Sequence, residues 1–265
     1  MSWSNTFNWH SNSAVRKRGI SMNTTIAERL DTLKHALHIY YWEQRHNFRS
    51  LFADKYQGEE VKATTDVERC EGWLQNYLGE PHAQLGRTGE ICPFIKTAMR
   101  RNRVSHRTYP KLKAIDDKTL GDLLLSEGMR LSRAIDREND ADFELSAVCI
   151  LFPELEEGSF ANMHAAHTRC KSLLMRGGIM VSVFYPGYPR PALNNPDFQL
   201  YQSPYPIAAV RPMAIRDLAF VDYNEEAFGE YRRRFGAKYR AGKVPNKFGW
   251  VDKYTEAEKR FPPVA

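Results

Sequence analysis

The chain has 265 residues, of which 42% are hydrophobic and 26% are charged, so it has enough apolar side chains to bury a sizeable core. Its formal net charge is +6, which is modest for this length. This balance does not indicate a nucleic-acid-binding protein, because such proteins concentrate basic residues on one face. The densest basic run, within residues 100–107, is interpreted as a solvated helix end and loop.

The cysteines and the apolar runs indicate a cytoplasmic protein. The four cysteines form no C-x-x-C pair and no zinc-type spacing, which is typical of a reducing compartment. No signal peptide is recognisable, and no apolar run reaches the roughly 18 residues of a membrane span. Residues 1–22 are polar and are predicted to be a disordered extension. Met22 is an alternative initiator, since a helix start follows it.

The first half of the chain is predicted to be helical. Thr25 and Glu28 form a capping box before an apolar repeat, which predicts a helix from about residue 25 to the mid-50s. A second helix is predicted over 65–78, ending at Gly79. Residues 81–94 suit no regular element, although Pro93 favours a helix from Cys92 to Arg101. Residues 117–138 form a further amphipathic helix.

The second half is predicted to alternate between strands and helices. The segments, in chain order, are a strand at 145–152, a helix at 157–176, a strand at 178–185, a proline-rich loop at 186–196, a strand at 205–213, a strand or strand extension at 218–221, and a helix at 224–238. The sequence therefore predicts one α+β domain over 23–240, in which a helical first half packs on a small mixed or antiparallel sheet. Residues 241–265 are predicted to be a polar tail.

Several kinds of active site are absent from the sequence. The run 86–89 lacks the third glycine and the lysine of a phosphate loop, and no G-x-S-x-G elbow or nucleophile triad is recognisable. Cys92 at a helix N-terminus is one candidate nucleophile, because the helix dipole lowers the pKa of a thiol there.

Histidine pairs are the first candidate ligands. His164 and His167 share a face of a predicted helix, and His35 and His38 repeat the same spacing. Neither pair has an obvious third ligand, so surface or structural histidines are the alternative interpretation.

The irregular loop PHAQLGRTGEICPF offers a second set of ligands. It contains His82 and Cys92, and both histidine and cysteine serve as axial ligands to haem iron. Arg87 and Arg211 are candidate partners for the two haem propionates. On spacing alone, the alternative is that these arginines bind carboxylates or carbonyls inside the fold.

The segment HAQLGRTGEICPF resembles the signature H-P-x-L-G-R-x-G-x-V-C-P-F of a bacterial domain family of unknown function. The later segments CILFPEL, GIMVSVFYPG and SPYPIAAVRPMAIRDLAFV are similar to its other blocks. The resemblance covers residues 65–240, and Ala83 departs from the signature's proline. The chain is also similar, more distantly, to small haem-dependent N-hydroxylases such as the arginine hydroxylase of D-cycloserine biosynthesis and the guanitoxin-pathway hydroxylase.

This resemblance implies a haem b protein that hydroxylates nitrogen in an amino acid or a guanidine-bearing metabolite within a biosynthetic pathway. His82 is then the iron ligand, with Cys92 as a neighbour or alternative, while Arg87 and Arg211 hold the propionates. His164 or His167 lines the distal side. A cationic substrate is expected to bind acidic residues of the second half, namely Glu154, Glu156, Glu157, Asp197, Asp217 and Asp222.

Other interpretations remain open at this point. A non-catalytic haem sensor using Cys92 and Pro93, or a cofactor-free biosynthetic protein, agrees with the same residues. The expected partner is a small molecule, with no membrane and no nucleic acid, and a homodimer is one oligomeric state that the sequence leaves open. The loop 186–204, with Tyr185, Tyr188 and Tyr201, is long enough to be a substrate lid.

Overall fold

The computed structural model describes residues 59–60, 65–134, 142–246 and 249–263. The helices in this part of the chain are α1 (Thr65–Trp73, continued by a π-helical turn at Leu74–Leu78), α2 (Ile95–Arg100), α3 (Asp117–Ala134), α4 (Phe160–Arg176), α5 (Leu218–Val221), α6 (Glu225–Arg240) and α7 (Trp250–Arg260). The strands are β1 (Glu59–Glu60), β2 (Val104–Thr108), β3 (Ala147–Leu151), β4 (Ile179–Phe184), β5 (Pro191–Ala192), β6 (Asn195–Gln199) and β7 (Ile207–Pro212).

The main sheet has the strand order β1-β2-β3-β7-β4. Strands β2 and β3 are parallel, and every other neighbouring pair is antiparallel. The sheet is therefore mixed, and the α+β class predicted from the sequence is confirmed. Strands β5 and β6 form a separate hairpin.

The central strands are buried on both faces, so their residues divide between two cores. Val148 and Ile150 of β3 face a core formed with α3 and α4. Cys149 and Leu151 face a second core, formed with α1, the loop 79–94 and the β5–β6 hairpin. The alternation follows from the two-residue period of a strand.

A third core lies beyond the β4 edge of the sheet. It contains residues of α5, α6 and α7, with Tyr231 and Phe228 of α6 fully buried at its centre. Tyr254 and Ala257 of α7 are also buried there. The predicted polar tail thus contains a helix that packs on the domain.

Three segments differ from the predictions. LAFV is helix α5 and not a strand, because Leu218 and Val221 turn one face toward the third core. The proline-rich loop contains β5 and the first residues of β6, which together form a hairpin. The basic run 100–107 contains strand β2, where His106 is buried and Arg107 pairs with Glu127.

The remaining helices and strands match the predicted positions closely, except that α2 begins at Ile95, three residues later than expected. The predicted helix from residue 25 to the mid-50s, its pair His35 and His38, and the extension 1–22 lie outside the described residues.

Candidate functional site

The irregular loop 79–94 packs against the β5–β6 hairpin. A bridge between Pro81 and Glu90 closes the loop, and Ala83–Leu85 forms a 3-10 turn at its tip. Gly86 then has φ 72°, and a Cβ at this position would lie 2.7 Å from the carbonyl oxygen of Asn194. Glycine is required here both by its backbone conformation and by the close approach of the hairpin.

His82, the predicted iron ligand, contacts the hairpin. Its ring stacks on Phe198 with 4.2 Å between centroids, and its Nδ1 accepts a hydrogen bond from the Gln84 backbone N–H at 3.2 Å. A haem-ligating histidine usually donates from the ring nitrogen that does not bind iron. Here Nδ1 accepts from the loop backbone instead, and iron ligation by His82 stays a prediction.

The two predicted propionate partners are engaged inside the fold. Arg87 donates to the carbonyls of Ile91 and Thr88, at 2.9 and 3.1 Å. Arg211 makes a two-pronged ion pair with Asp217, with nitrogen–oxygen distances of 2.7 and 2.6 Å. Arg87 thus binds carbonyls and Arg211 binds a carboxylate, as the alternative interpretation of the sequence expects.

Cys92 lies at the base of the loop, where its N–H donates to the carbonyl of Leu78 at 2.7 Å. Burial raises the pKa of its thiol, although nearby Arg211 and the backbone N–H groups of Phe94 and Ile95 partly oppose the shift. The direction of this shift disfavours the thiolate, which is the nucleophilic form of cysteine. The haem role of this loop stays a prediction.

A cleft of about 750 Å³ lies elsewhere, between α4, the segment after β4 and the start of α6. His164 and His167, the pair predicted from the H-x-x-H spacing, both line it. Other lining residues used below are Lys171, Tyr185, Tyr188, Arg190 and Tyr223. The structure therefore brings the two histidines together with Tyr185 and Tyr188, two of the three tyrosines that were predicted to belong to a lid.

His164 and Tyr188 form a hydrogen-bonded pair in this cleft, with 2.7 Å between Nδ1 and the hydroxyl oxygen. Burial raises the pKa of Tyr188, with Arg190 partly opposing it, so the phenol keeps its proton at neutral pH. Tyr188 also stacks on Tyr185 with 4.2 Å between centroids. The pair places a histidine against an aromatic wall.

His167 is buried and neutral. Burial lowers its pKa to about 3, and the charges of Arg190 and Lys171 act in the same direction. A backbone hydrogen bond to Val181 opposes the shift and holds the ring toward β4. This interaction links α4 to β4, and the depressed pKa keeps His167 neutral near neutral pH.

Two cationic side chains complete the cleft. The Lys171 ammonium donates to the Tyr223 hydroxyl at 2.5 Å, and the Arg190 guanidinium lies 4.6 Å from the centroid of Tyr201. Within the described ranges, no carboxylate forms an ion pair with either side chain. No acidic residue lines the cleft in this part of the chain.

The sequence contained a signal for Lys171 that the prediction missed. Lys171 follows His167 by four positions and His164 by seven, so all three share one face of a helix. Arg190 gave no such signal, because its position depends on the fold of the proline-rich segment. The six acidic residues expected to bind a cationic substrate do not line the cleft. Asp217 is instead paired with Arg211 and Asp222 with Lys253.

Residues 67–245, well over half of the chain, match the model of a domain family of unknown function, DUF6875. The chain thus belongs to this family. No curated protein and no solved structure matches it. None of the helices in the described part of the chain has the length and apolar character needed to cross a bilayer.

Proposed function

We propose that the protein binds a small metabolite carrying a carboxylate or phosphate in the cleft beside α4, and that His164 exchanges a proton with it. The main support is that Lys171 and Arg190 both line the cleft, while the described part of the chain supplies no carboxylate to either. Such a pair of cations attracts an anionic ligand, since charge-assisted hydrogen bonds to carboxylate or phosphate are stronger than neutral ones.

The walls of the cleft favour a ligand with a flat apolar part. Tyr185 and Tyr188 stack on each other, and Pro189 and Met175 extend the apolar lining. Such a mixture of apolar walls and a few charged groups is common in small-molecule sites, where the polar groups fix orientation.

His164 is the group suited to proton exchange. Its Nδ1 is held by Tyr188, whereas its Nε2 has no hydrogen-bond partner in the described part of the chain. An imidazole can both donate and accept a proton, and a partner on one nitrogen fixes which nitrogen faces the ligand. His167 does not fill this role, because its depressed pKa keeps it neutral.

Ligand charge tests the proposal directly. Benzoate and phenyl phosphate should bind at least about tenfold more tightly than benzamide and benzylamine, a difference of roughly 1.4 kcal/mol. Lys171→Met and Arg190→Met should each remove most of this preference when binding is measured by calorimetry. Lys111→Met is the matched control, since Lys111 is an exposed lysine on the loop before α3. Tighter binding of benzylamine than of benzoate would contradict the proposal and favour a cationic substrate.

Haem-dependent oxidation of a nitrogenous metabolite, which the resemblance implies, is a second candidate for the same cleft. One observation favours it: two cations and a tyrosine wall suit a flat molecule with two carboxylates, and His164 offers a free ring nitrogen. Bound haem would supply the oxidation chemistry. A visible spectrum after reconstitution tests this candidate. A Soret band supports it: loss of the band in His164→Ala places the haem in the cleft, loss in His82→Ala places it at the loop as the resemblance implies, and a colourless protein excludes it.

A further inference from the structure

A second cluster of potential ligands lies on the opposite face of the sheet from α3 and α4. Cys70 of α1, His106 of β2 and Cys149 of β3 come together there, and their ligand atoms all lie within 4.8 Å of one another. His106 and Cys149 are directly paired across the parallel β2–β3 ladder. The register of the sheet therefore fixes two members of the cluster, and the packing of α1 adds the third.

The cluster is buried and holds an unsatisfied nitrogen. Cys70 is 0% exposed, Cys149 2% and His106 7%. The Nε2 of His106 is buried without a hydrogen-bond partner among the residues that the structure describes. Its Nδ1 lies 3.9 Å from a carboxylate oxygen of Glu71. A buried polar atom without a partner is rare in folded proteins and calls for an explanation.

We propose that Cys70, His106 and Cys149 bind a zinc ion. Two thiolates and an imidazole are ligands that zinc prefers, and Nε2 is the ring nitrogen left free for it. Glu71 is placed to orient the imidazole through Nδ1, as carboxylates commonly do for histidine ligands. The site is separate from the cleft beside α4, and the inference does not depend on the proposed function.

The three ligand atoms need to move only a short distance to bind zinc. Ligand atoms at tetrahedral zinc, with bonds of about 2.0–2.3 Å, lie roughly 3.3–3.8 Å from one another. The observed upper limit of 4.8 Å thus needs a contraction of about 1 Å, which side-chain rotation supplies. Three protein ligands leave the fourth position to water or another oxygen ligand.

Two other states of the cluster give distinct results. The first is an ordinary core, in which the cysteines act as small apolar residues and bind no metal. The second is a disulfide between Cys70 and Cys149, which are both free in the structure. Metal content, cobalt absorption and thiol counting separate these two states from a zinc site.

The full-length chain, purified tag-free with reductant and without chelator, is the material for the test. We expect about one zinc per chain by elemental analysis, and a thiolate-to-cobalt charge-transfer band when cobalt replaces zinc. Cys70→Ser, Cys149→Ser and His106→Gln should each lower metal affinity by more than about 100-fold, and Glu71→Gln by about 10–100-fold. Cys170→Ser is the matched control, because Cys170 is a buried free cysteine outside the cluster.

Alkylation of the wild-type chain keeps the test valid if a ligand variant does not fold. Zinc should protect Cys70 and Cys149 from a thiol reagent and leave Cys92, which is less buried, equally reactive with and without metal. A wild-type chain that shows no thiolate–cobalt band, an oxidised Cys70–Cys149 pair in the reduced preparation, or Cys149→Ser with unchanged affinity would each overturn the proposal.

Discussion

Asp217 shows how one buried charge organises its surroundings. It is 1% exposed, and its two carboxylate oxygens accept hydrogen bonds from Arg211. One of these oxygens also accepts from the N–H of Ala214, which closes the 3-10 turn before α5. The pair therefore connects the end of β7 to the helices of the third core.

Replacing Asp217 with asparagine should destabilise the protein strongly. The change leaves Arg211 without its countercharge, which we expect to cost about 3 kcal/mol in urea unfolding, at the low end for a broken buried pair. The low end applies because a quarter of the Arg211 side chain stays exposed. Asp222→Asn is the control, since its pair with Lys253 is more exposed and should cost less than about 1 kcal/mol. Equal losses for the two variants would contradict this assignment.

At the residue scale, the sequence predicts which kind of group a side chain binds better than it predicts which residue supplies that group. Arg211 and Arg87 do bind anionic or carbonyl oxygens, but these belong to Asp217 and to the loop backbone. His164 and His167 do share a cleft, because the i,i+3 spacing on a helix places them together. Arg190 and the Cys70–His106–Cys149 cluster depend on contacts between distant segments, which no local spacing encodes.

At the scale of elements, apolar runs identify the buried strands and fail for the others. Strands β3, β4 and β7 are rich in β-branched and apolar residues, so their sequence indicates them directly. Strand β2 reads VSHRT, in which polar residues conceal a strand that is paired on both sides. LAFV has strand-like residues, yet contacts with the third core make it helical.

The turn from α4 to β4 contains the glycine with the strictest requirement. Gly178 has φ 71°, and a Cβ there would lie 1.8 Å from the guanidinium carbon of Arg234. That guanidinium donates to the carbonyl of Gly177 and is also paired with Glu230, so it is not free to move away.

We therefore expect Gly178→Ala to cost more than the roughly 1–2 kcal/mol of the left-handed conformation alone. Gly187→Ala is the matched control, because Gly187 has φ 72° and nothing within 4 Å of its Cβ position. Thermal and urea unfolding of both variants measure the difference. A Gly178 variant no less stable than the Gly187 variant would show that Arg234 moves without cost.

At the scale of the whole molecule, three cores meet around the mixed sheet. The first two lie on its opposite faces and share the alternating residues of β3 and β7. The third joins α4 and β4 to α5, α6 and α7 through Met175 and Met180. The sequence predicted a domain with a helical first half and a strand-rich second half. It did not predict the third core, because Tyr254 and Ala257 are isolated buried positions in a polar segment.

The cleft lies where the first and third cores approach each other. His167 of α4 lines it between Arg190, Lys171 and His164, and β4 contacts it through the backbone of Val181. Each of the three neighbouring basic groups disfavours a positive charge on the imidazole, as burial does. Protonation of His167 is thus coupled to the stability of the whole fold.

Stability should fall as pH decreases from about 6.5, the ordinary pKa of histidine, toward the native-state value of about 3. In this window the unfolded chain binds a proton that the native state does not bind, so acid favours unfolding. The contribution of His167 should approach about 1.4 kcal/mol per pH unit. Between about pH 5 and 6.5, unfolded carboxylates stay largely ionised, so urea unfolding there reports mainly on histidines.

His167→Gln should reduce the difference in bound protons between the unfolded and native states by close to one. His164→Gln should reduce this difference less, since His164 is exposed on the same helix. The comparison also separates the two roles assigned to the histidines. If His167 fixes α4 against β4 and His164 serves the ligand, His167→Gln changes stability with pH and His164→Gln changes the pH dependence of anion binding. A reversal of these two effects would exchange the roles, and would make the buried histidine the group that responds to the ligand.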